Sequence, residues 1–221
     1  MEITELNPKI VWKYFHEITQ VPRPSKKEGK IIAYLEQFAK EHGIEYKKDH
    51  VGNIVMSKPA TPGYEDRVKL ILQSHVDMVC EKNAGTEHDF DNDPIRTIVD
   101  GEWLHADGTT LGADNGIGCA AQLAILASDD IEHGPIEALF TIDEETGMTG
   151  AFELRPGFLT GKILINLDSE DEGELFIGCA GGKGIVATFT PEYQPAPQGL
   201  TWLRASVSGL KGGHSGGEIH C

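Results

Sequence analysis

The stretch Val68-Lys69-Leu70-Ile71-Leu72-Gln73-Ser74-His75-Val76-Asp77 decides the predicted fold. Residues 68–72 form a short apolar run rich in branched side chains, which is typical of a buried strand. His75 and Asp77 follow this run, so both leave the C-terminal end of the strand. Ligands bind at that end of the strands in open α/β sheets. The stretch therefore predicts a functional site at the carboxyl edge of a sheet.

Two further strand patterns also end in acidic residues. Residues 136–142 are followed closely by Glu144 and Glu145, and residues 163–167 are followed by Asp168. Because strands alternate with helical patterns, the sequence predicts an α/β fold with a mostly parallel sheet flanked by helices. The carboxyl ends of parallel strands meet at one edge of a sheet. These acids are therefore expected near the histidine of the first strand.

Asp114 lies in a glycine-rich loop at residues 108–116, just before a helix predicted at about 117–127. An aspartate at a helix start commonly serves as an N-cap or forms an Asx turn. A carboxylate there can instead bridge two metal ions through its two oxygens, and the glycines allow close backbone approach. Both interpretations of Asp114 stay open on the sequence.

The other candidate residues also have ordinary structural explanations. His75 can be a hydrogen-bonded core residue, Glu144 and Glu145 can sit in a helix first turn and interact with its dipole, and Asp168 can be a surface acid. Three successive acids after one strand repel one another, however, unless cations are present. With metal, one glutamate can be a ligand and the other a general base, and Asp77 can orient the imidazole. The residue pattern does not say which glutamate has which role.

Taken together, one histidine and several carboxylates at one sheet edge predict a site for two divalent metals. These ligand types suit zinc or manganese. Paired metals about 3.5 to 4 Å apart recur in aminopeptidases and phosphatases. The sequence offers neither a nucleophile elbow nor a Walker loop as an alternative site.

The composition is that of an acidic globular protein. The chain has 221 residues and a formal net charge of -16, which argues against nucleic-acid phosphates as a partner. Met1 to Glu5 show no signal-peptide pattern, and no apolar run reaches the roughly 18 to 20 residues that cross a bilayer. The four cysteines form neither a C-x-x-C pair nor a dense disulfide framework. We expect a cytoplasmic protein with no membrane partner.

Local patterns predict the remaining elements of the first part of the chain. Asn7-Pro8 predicts the start of a helix that ends near Thr19. Ser25-Lys26-Lys27-Glu28 matches a capping box, whose Ser and Glu side chains each bind a free backbone N–H, and predicts a second helix. Both helices are interpreted as structure rather than chemistry. Strands are predicted at residues 44–49 and 52–57, and a hairpin is predicted around Asp100-Gly101.

The pattern changes after Gly181-Gly182. Residues 185–190 and 202–208 alternate apolar and polar side chains, which predicts antiparallel strands with one solvated face. A second domain is therefore expected to begin near residue 183. His214 follows in a glycine-rich segment, where an ordinary turn residue is the simplest interpretation.

Five segments together resemble the M20 metallopeptidases, and in particular their aminoacyl-histidine dipeptidase branch. These segments are residues 74–79, 108–116, 144–147, 166–170 and 212–216. The resemblance implies a catalytic metallopeptidase domain at residues 1–182. It also implies that residues 183–221 begin a second, α+β lid domain and that family members continue past this point.

The resemblance also implies metal ligands. His75 and Asp168 would bind one ion, Asp114 would bridge both ions, and Glu145 would bind the other. The implied cofactors are two divalent metal ions, zinc first, with manganese or cobalt as alternatives. Family members supply a last metal-binding histidine from a later segment, so one site is expected to be complete in protein ligands and the other short by one.

Three further residues receive catalytic roles by the same resemblance. Asp77 would orient His75, and Glu144 would be the general base that takes a proton from the attacking water. His214 would help to hold the substrate carbonyl, often in the active site of a partner subunit.

The implied activity is hydrolysis of short unblocked peptides, Xaa-His dipeptides in particular, by a homodimer that forms through the lid domain. Two alternatives remain at this level. One is an N-acyl amino acid deacylase of the same superfamily. The other is a non-catalytic metal-binding or interaction fragment.

Overall fold

The computed structural model describes residues 2–169, 171, 173–179, 181 and 183–210. The chain divides into two compact units, Met1–Phe176 and Ile177–Cys221. All helices and strands of the described residues lie in the first unit. The assignment of residues 1–182 to catalysis and 183–221 to a lid stays a prediction.

Among the described residues of the first unit, seven strands form two sheets. They are β1 (Glu45–Lys48), β2 (Ile54–Lys58), β3 (Leu70–His75), β4 (Thr97–Asp100), β5 (Trp103–Ala106), β6 (Ile136–Thr141) and β7 (Ile163–Asn166). The larger sheet has the order β1-β2-β6-β3-β7, and β4 pairs with β5 in the predicted hairpin. β3 is parallel to β6 and β7, whereas β2 is antiparallel to β1 and β6. The predicted α/β fold is confirmed, and its sheet is mixed because the β1–β2 hairpin adds two antiparallel pairings.

In the described part of the chain, five helices accompany the sheets, after a short 3-10 helix at Ile3–Glu5. They are α1 (Lys9–Thr19), α2 (Gly29–Glu41), α3 (Ala113–Ala127), α4 (Glu144–Gly147) and α5 (Thr149–Phe152). Asp114 and Asn115 have non-helical backbone angles inside α3, so its regular part begins after them. Among the residues that the structure describes, no helix combines the length and apolar character that crossing a membrane requires.

The core follows the two-residue period of the central strands. Alternate side chains such as Ile54 and Met56 of β2, and Phe140 of β6, pack with α1, α2 and α3 in the main cluster. Their neighbours Val55 and Leu139 belong to a smaller cluster. Since successive side chains of a strand point to opposite faces, the sheet buries both faces. Every residue of β6 is buried, as expected for a central strand.

The register of the central strands brings the candidate residues to one edge. His75 is the last residue of β3 and lies opposite Thr141, the last residue of β6. β7 runs parallel to β3, with Asn166 opposite Gln73. The carboxyl ends of these three strands therefore meet, as the sequence predicted, and the acids that follow them lie at the same edge.

The predicted strands at residues 185–190 and 202–208 are wrong for the structure as described. Residues 183–210 contain no strand, and their side chains are exposed. An alternating pattern encodes which face of a strand is apolar, but a strand forms only where its backbone finds a hydrogen-bonded partner.

Candidate metal centre

The site is built around the imidazole of His75, which is fully buried at the end of β3. Its Nδ1 lies 3.2 Å from the backbone oxygen of Asp77 and 3.3 Å from the Asp77 carboxylate. Its Nε2 lies 2.8 Å from Oδ1 of Asp114 and 3.7 Å from Oδ1 of Asp168. One side of the ring is therefore held by Asp77, and the other side faces two carboxylates.

Among the described residues, three sets of donor atoms are close enough to share a metal ion, and two of these sets include His75. His75, Asp114 and Asp168 form one set, and His75, Glu144 and Glu145 form the other, with the atoms of each set within 4.8 Å of one another. The Asp114 side chain is 51% exposed and that of Asp168 is 25% exposed. The site thus runs from a buried nitrogen to carboxylates that solvent can reach.

Asp77 connects the end of β3 to the two glutamates. Its Oδ1 accepts a hydrogen bond from the backbone N–H of Glu144 at 3.0 Å, and its Oδ2 accepts one from the N–H of Glu145 at 3.2 Å. The carboxylate accepts a third hydrogen bond from the hydroxyl of Ser25, which lies 2.7 Å from Oδ2. Asp77 therefore fixes both the imidazole and the backbone from which Glu144 and Glu145 project.

The pKa values of these groups differ according to the donors around each carboxylate. Burial tends to raise the pKa of Asp77, but His75, the Glu144 N–H and Ser25 lower it to about 2. Burial also raises the pKa of Asp168, to about 7, and the nearby Asp114 adds to this rise while His75 opposes it. Burial and Asp114 likewise raise the pKa of Glu145.

His75 responds to the same crowding of negative charge. Burial lowers its pKa, but the hydrogen bonds with Asp114 and Asp77 and the charge of Asp168 outweigh burial and raise it to about 10. Neighbouring carboxylates that raise one another's pKa are the arrangement that a divalent cation relieves. The donor set, one imidazole with several carboxylates, is also one that zinc and manganese accept. The residues at this edge therefore fit a metal site.

Two cavities open beside the donor atoms. One, of about 290 Å³, is lined by Asp114, Asn115 and Asp168 together with neighbouring residues. The other, of about 170 Å³, is lined by Glu144 and Asp168 and by mainly apolar side chains, including those of Leu139 and Met148. Both give a small molecule access to the candidate ligands.

Comparison with known proteins identifies the family. A family model described as peptidase family M20/M25/M40 matches residues 71–190, more than half of the chain. The chain belongs to peptidase family M20/M25/M40. The resemblance that the sequence motifs showed to M20 peptidases is confirmed.

Individual M20-like relatives are similar over most of this chain. The cytosol non-specific dipeptidase of Escherichia coli K12 is 49% identical over 219 residues, which cover 99% of this chain and 45% of that protein. The crystal structure of an aminoacylhistidine dipeptidase from Vibrio alginolyticus matches with a TM-score of 0.77 and 54% identity, over 78% of this chain and 35% of that one. An aminopeptidase PepT from Bacillus cereus matches with a TM-score of 0.63 and 27% identity, over 75% and 44%. The chain thus spans less than half the length of these relatives.

Six of the seven predicted site residues of this M20 chain lie together at the sheet edge. They are His75, Asp77, Asp114, Glu144, Glu145 and Asp168. The seventh, His214, lies outside the described residues. Its assignment to the substrate carbonyl stays a prediction, as do the individual roles of the other six.

The predicted capping box at residues 25–28 is wrong. α2 begins at Gly29, and its N-cap residue Glu28 makes no side-chain cap bond. The Ser25 hydroxyl donates to Asp77 instead, and Oε1 of Glu28 accepts the backbone N–H groups of Lys26 and Asp143 at 2.8 and 3.1 Å. Both side chains therefore bond to residues at the sheet edge, Asp77 and Asp143, and do not cap the helix.

Sequence reasoning also missed two residues that support the site. Arg23 is 2% exposed and donates to the backbone oxygens of Val76, Asp77 and Gly112. Asn115 is buried, and its Nδ2 donates to Oδ1 of the Asp168 side chain at 2.6 Å. An arginine between two prolines carries no local signal of burial. Asn115, by contrast, has a signal in the sequence, because it follows Asp114 within the glycine-rich loop at residues 108–116.

Proposed function

We propose that this chain carries the metal-binding core of a dipeptidase that hydrolyses short unblocked peptides. The observation that carries the proposal is the convergence of His75, Asp114, Asp168 and Glu145 beside Glu144, in a chain of the M20 family. The names of the Escherichia coli and Vibrio relatives, both dipeptidases, support the same reaction class. The M20 peptidases that the motifs resemble are metal-dependent hydrolases, so metal-assisted hydrolysis is the chemistry to test.

Two divalent ions would be held by this donor set, with zinc first and manganese or cobalt as alternatives. His75 and Asp168 would hold one ion, Glu145 the other, and Asp114 both. Bound divalent metals supply Lewis acidity, which lowers the pKa of a water molecule and polarises the scissile carbonyl. Solvent exposure increases from the buried imidazole of His75 to the half-exposed side chain of Asp114, which supports entry of ions and substrate from the solvent side.

The side chain of Glu144 is the general base of the proposed reaction. It is partly buried and lines the cavity of about 170 Å³ with Asp168, while its backbone N–H is fixed by Asp77. Glu144 would take a proton from the attacking water and deliver it to the amine nitrogen as the peptide bond breaks. Asp77 would keep the imidazole of His75 oriented through Nδ1, which leaves Nε2 for metal.

The substrate, assembly and location are further parts of the proposal. Xaa-His dipeptides are the proposed substrates, since one relative is an aminoacylhistidine dipeptidase. His214 would hold the substrate carbonyl, and a homodimer would form through the lid. A cytosolic location is proposed from the name of the Escherichia coli relative.

Two glutamate variants test the reaction assignment. Glu144→Gln is expected to reduce kcat for a dipeptide by about 10²- to 10⁴-fold without loss of bound metal, because a base is removed and a ligand is not. Glu145→Gln is the matched control, and it is expected to lower metal content. Metal loss in Glu144→Gln, or retained turnover, contradicts the assignment of Glu144.

A substrate panel tests the activity itself. We expect cleavage of an Xaa-His dipeptide in preference to a dipeptide without histidine, and no cleavage of an N-acetyl amino acid. Preferential hydrolysis of the N-acetyl amino acid would instead support the deacylase alternative. Metal binding without hydrolysis of any of the three would support a non-catalytic role.

A further inference from the structure

We propose that residues 23–28 form a positioning segment, which holds three donor-bearing loops of the metal site in place through the side chains of Arg23, Ser25 and Glu28. The three loops are the end of β3 with His75 and Asp77, the loop before Asp114, and the end of β6 before Glu144. The inference rests on the proposed function, since it assigns positioning residues to the same metal site.

Arg23 joins the first two loops. One nitrogen of its guanidinium, Nη1, donates to the backbone oxygens of Val76 and Asp77, each at 3.0 Å, and the other, Nη2, donates to the oxygen of Gly112. Gly112 lies two residues before Asp114. A planar guanidinium can satisfy several carbonyls at fixed angles, whereas a lysine ammonium is a single point of charge. The distance between the His75 loop and the Asp114 loop is therefore set by one side chain.

The loop that carries Asp114 is shaped around Arg23. Gly112 has a φ of +69°, and a Cβ there would collide with Nη2 of Arg23 and lie 2.8 Å from the sulfur of Met78. A Cβ at Gly116 would lie 2.8 Å from the same nitrogen and 3.1 Å from the ring of Phe15. Both glycines leave the space that the guanidinium occupies. This close fit supports a specific role for Arg23 beyond filling volume.

Ser25 acts on the carboxylate that orients the imidazole. Its hydroxyl lies 2.7 Å from Oδ2 of Asp77, the oxygen that also accepts the N–H of Glu145. The backbone of the segment is tied to the same loop, because the N–H of Met78 donates to the oxygen of Arg23 at 3.2 Å. Ser25 therefore limits the rotation of Asp77, and Asp77 in turn orients His75.

Glu28 extends the segment to the third loop. Its carboxylate accepts the backbone N–H of Asp143 at 3.1 Å, at the residue immediately before Glu144. Asp143 has a φ of +50°, and its side chain accepts the hydroxyls of Thr146 and Thr149. The turn from β6 into α4 is thus fixed from both sides. One segment of six residues consequently touches all three loops, but Asp168 is held separately by Asn115.

Zinc titration of the purified protein tests the segment. Ser25→Ala and Arg23→Lys are each expected to weaken zinc binding by about 10-fold, as is typical when a group that orients a metal ligand is lost. Ser128→Ala is the matched control, because Ser128 is another serine whose hydroxyl donates a hydrogen bond, here to the backbone oxygen of Ala124 in α3, outside the positioning segment. Ser25→Thr retains a hydroxyl, so its zinc affinity is expected to match that of the unmodified protein and not that of Ser25→Ala.

Two further readouts separate positioning from folding. The urea midpoint of the metal-free protein is expected to fall no more in Ser25→Ala than in Ser128→Ala. The cobalt absorption spectrum, which reports ligand geometry, is expected to change in Ser25→Ala and not in the control. If Arg23→Lys fails to fold, Ser25→Ala decides the question alone.

His75→Ala distinguishes the inference from the function on which it rests. If His75→Ala weakens zinc binding and Ser25→Ala binds zinc as tightly as the unmodified protein, the positioning segment is overturned and the metal site stands. If His75→Ala leaves zinc affinity unchanged, the metal site itself is overturned. Weakened binding in both variants, with Ser128→Ala unaffected, supports the positioning role.

Discussion

Two clusters of acidic groups lie side by side at the carboxyl edge of the sheet, and they differ in what their oxygens bind. Glu28, Asp77 and Asp143 form a buried cluster that could hold an ion by distance alone. Hydroxyl and backbone N–H groups already occupy its carboxylates. The second cluster, Asp114 and Asp168 around His75, is partly exposed, and its carboxylates face one another.

The pKa values of one carboxylate from each cluster, Asp77 and Asp168, express this difference. Hydrogen-bond donors hold the pKa of Asp77 at about 2, although burial alone would raise it. Burial and the charge of Asp114 raise the pKa of Asp168 to about 7, although the neighbouring His75 lowers it. A carboxylate saturated with donors is structural, whereas one whose pKa is raised by burial and by a neighbouring acid is available to a cation. Proximity of acids therefore does not identify a metal site until their donors have been counted.

His75→Ala gives the largest expected effect and tests whether the second cluster binds metal. We expect zinc affinity to fall by more than about 100-fold, beyond the range typical of groups that only orient a ligand. Isothermal titration with zinc measures the change. An affinity within threefold of the unmodified protein would show that the ions bind elsewhere.

Asp77→Asn tests the structural role of the first cluster. We expect the free energy of unfolding of the metal-free protein near pH 7 to fall by about 2 to 3 kcal/mol. The lowered pKa of Asp77 stabilises the fold above the usual carboxyl pKa, and this stability is lost as pH falls through about 2. Urea denaturation measures it. Asp77→Asn with unchanged stability would show that the donors around Asp77 add nothing to the fold.

Asp168→Asn is the matched substitution in the second cluster, and the opposite sign is expected. Its raised pKa means that ionisation of Asp168 destabilises the metal-free fold as pH rises from about 4 through about 7. At about pH 8 the asparagine is therefore expected to stabilise the metal-free protein by about 2 kcal/mol, while zinc affinity falls. Its side-chain oxygen can still accept from Asn115. Destabilisation by both substitutions would remove the distinction between the clusters.

A change of one pH unit is expected to alter zinc affinity less than His75→Ala does. The pKa of His75 is raised to about 10, so metal must displace its proton at neutral pH. Zinc affinity is expected to rise about tenfold per pH unit between about pH 7 and 10, and more steeply below about pH 7, where Asp168 is also protonated. Calorimetry in buffers of different ionisation enthalpy measures the released protons. Binding without proton release would contradict the arrangement of His75 among the acids.

The larger elements of the fold follow from local sequence patterns. The apolar run at residues 68–72 predicted a buried strand before His75, and β3 is Leu70–His75. The observed strand lies further toward the C-terminus than the predicted one, because the end of β3 is set by its pairing with β6, where His75 lies opposite Thr141. The hairpin around Asp100-Gly101 was also predicted, because two-residue turns have strong residue preferences.

The clearest local error lies at residues 25–28. A serine followed three positions later by a glutamate satisfies the local rule for a capping box. In the folded chain, Ser25 bonds to Asp77, 52 residues away, and Glu28 to Asp143, 115 residues away. Partners at such separations are absent from any local window, so the same two side chains fit two different assignments until the fold is known.

The sequence by itself determined which chemistry is available and roughly where it lies. Strand-length apolar runs that are followed by His75, Glu144 and Asp168 predict ligands at one edge, because strand period and sheet topology fix where the strands end. Only the tertiary structure decided which acids are saturated by donors and which face solvent. The physical reason is that the donors of Asp77 come from a segment near the N-terminus and from the turn after β6, which only folding brings together.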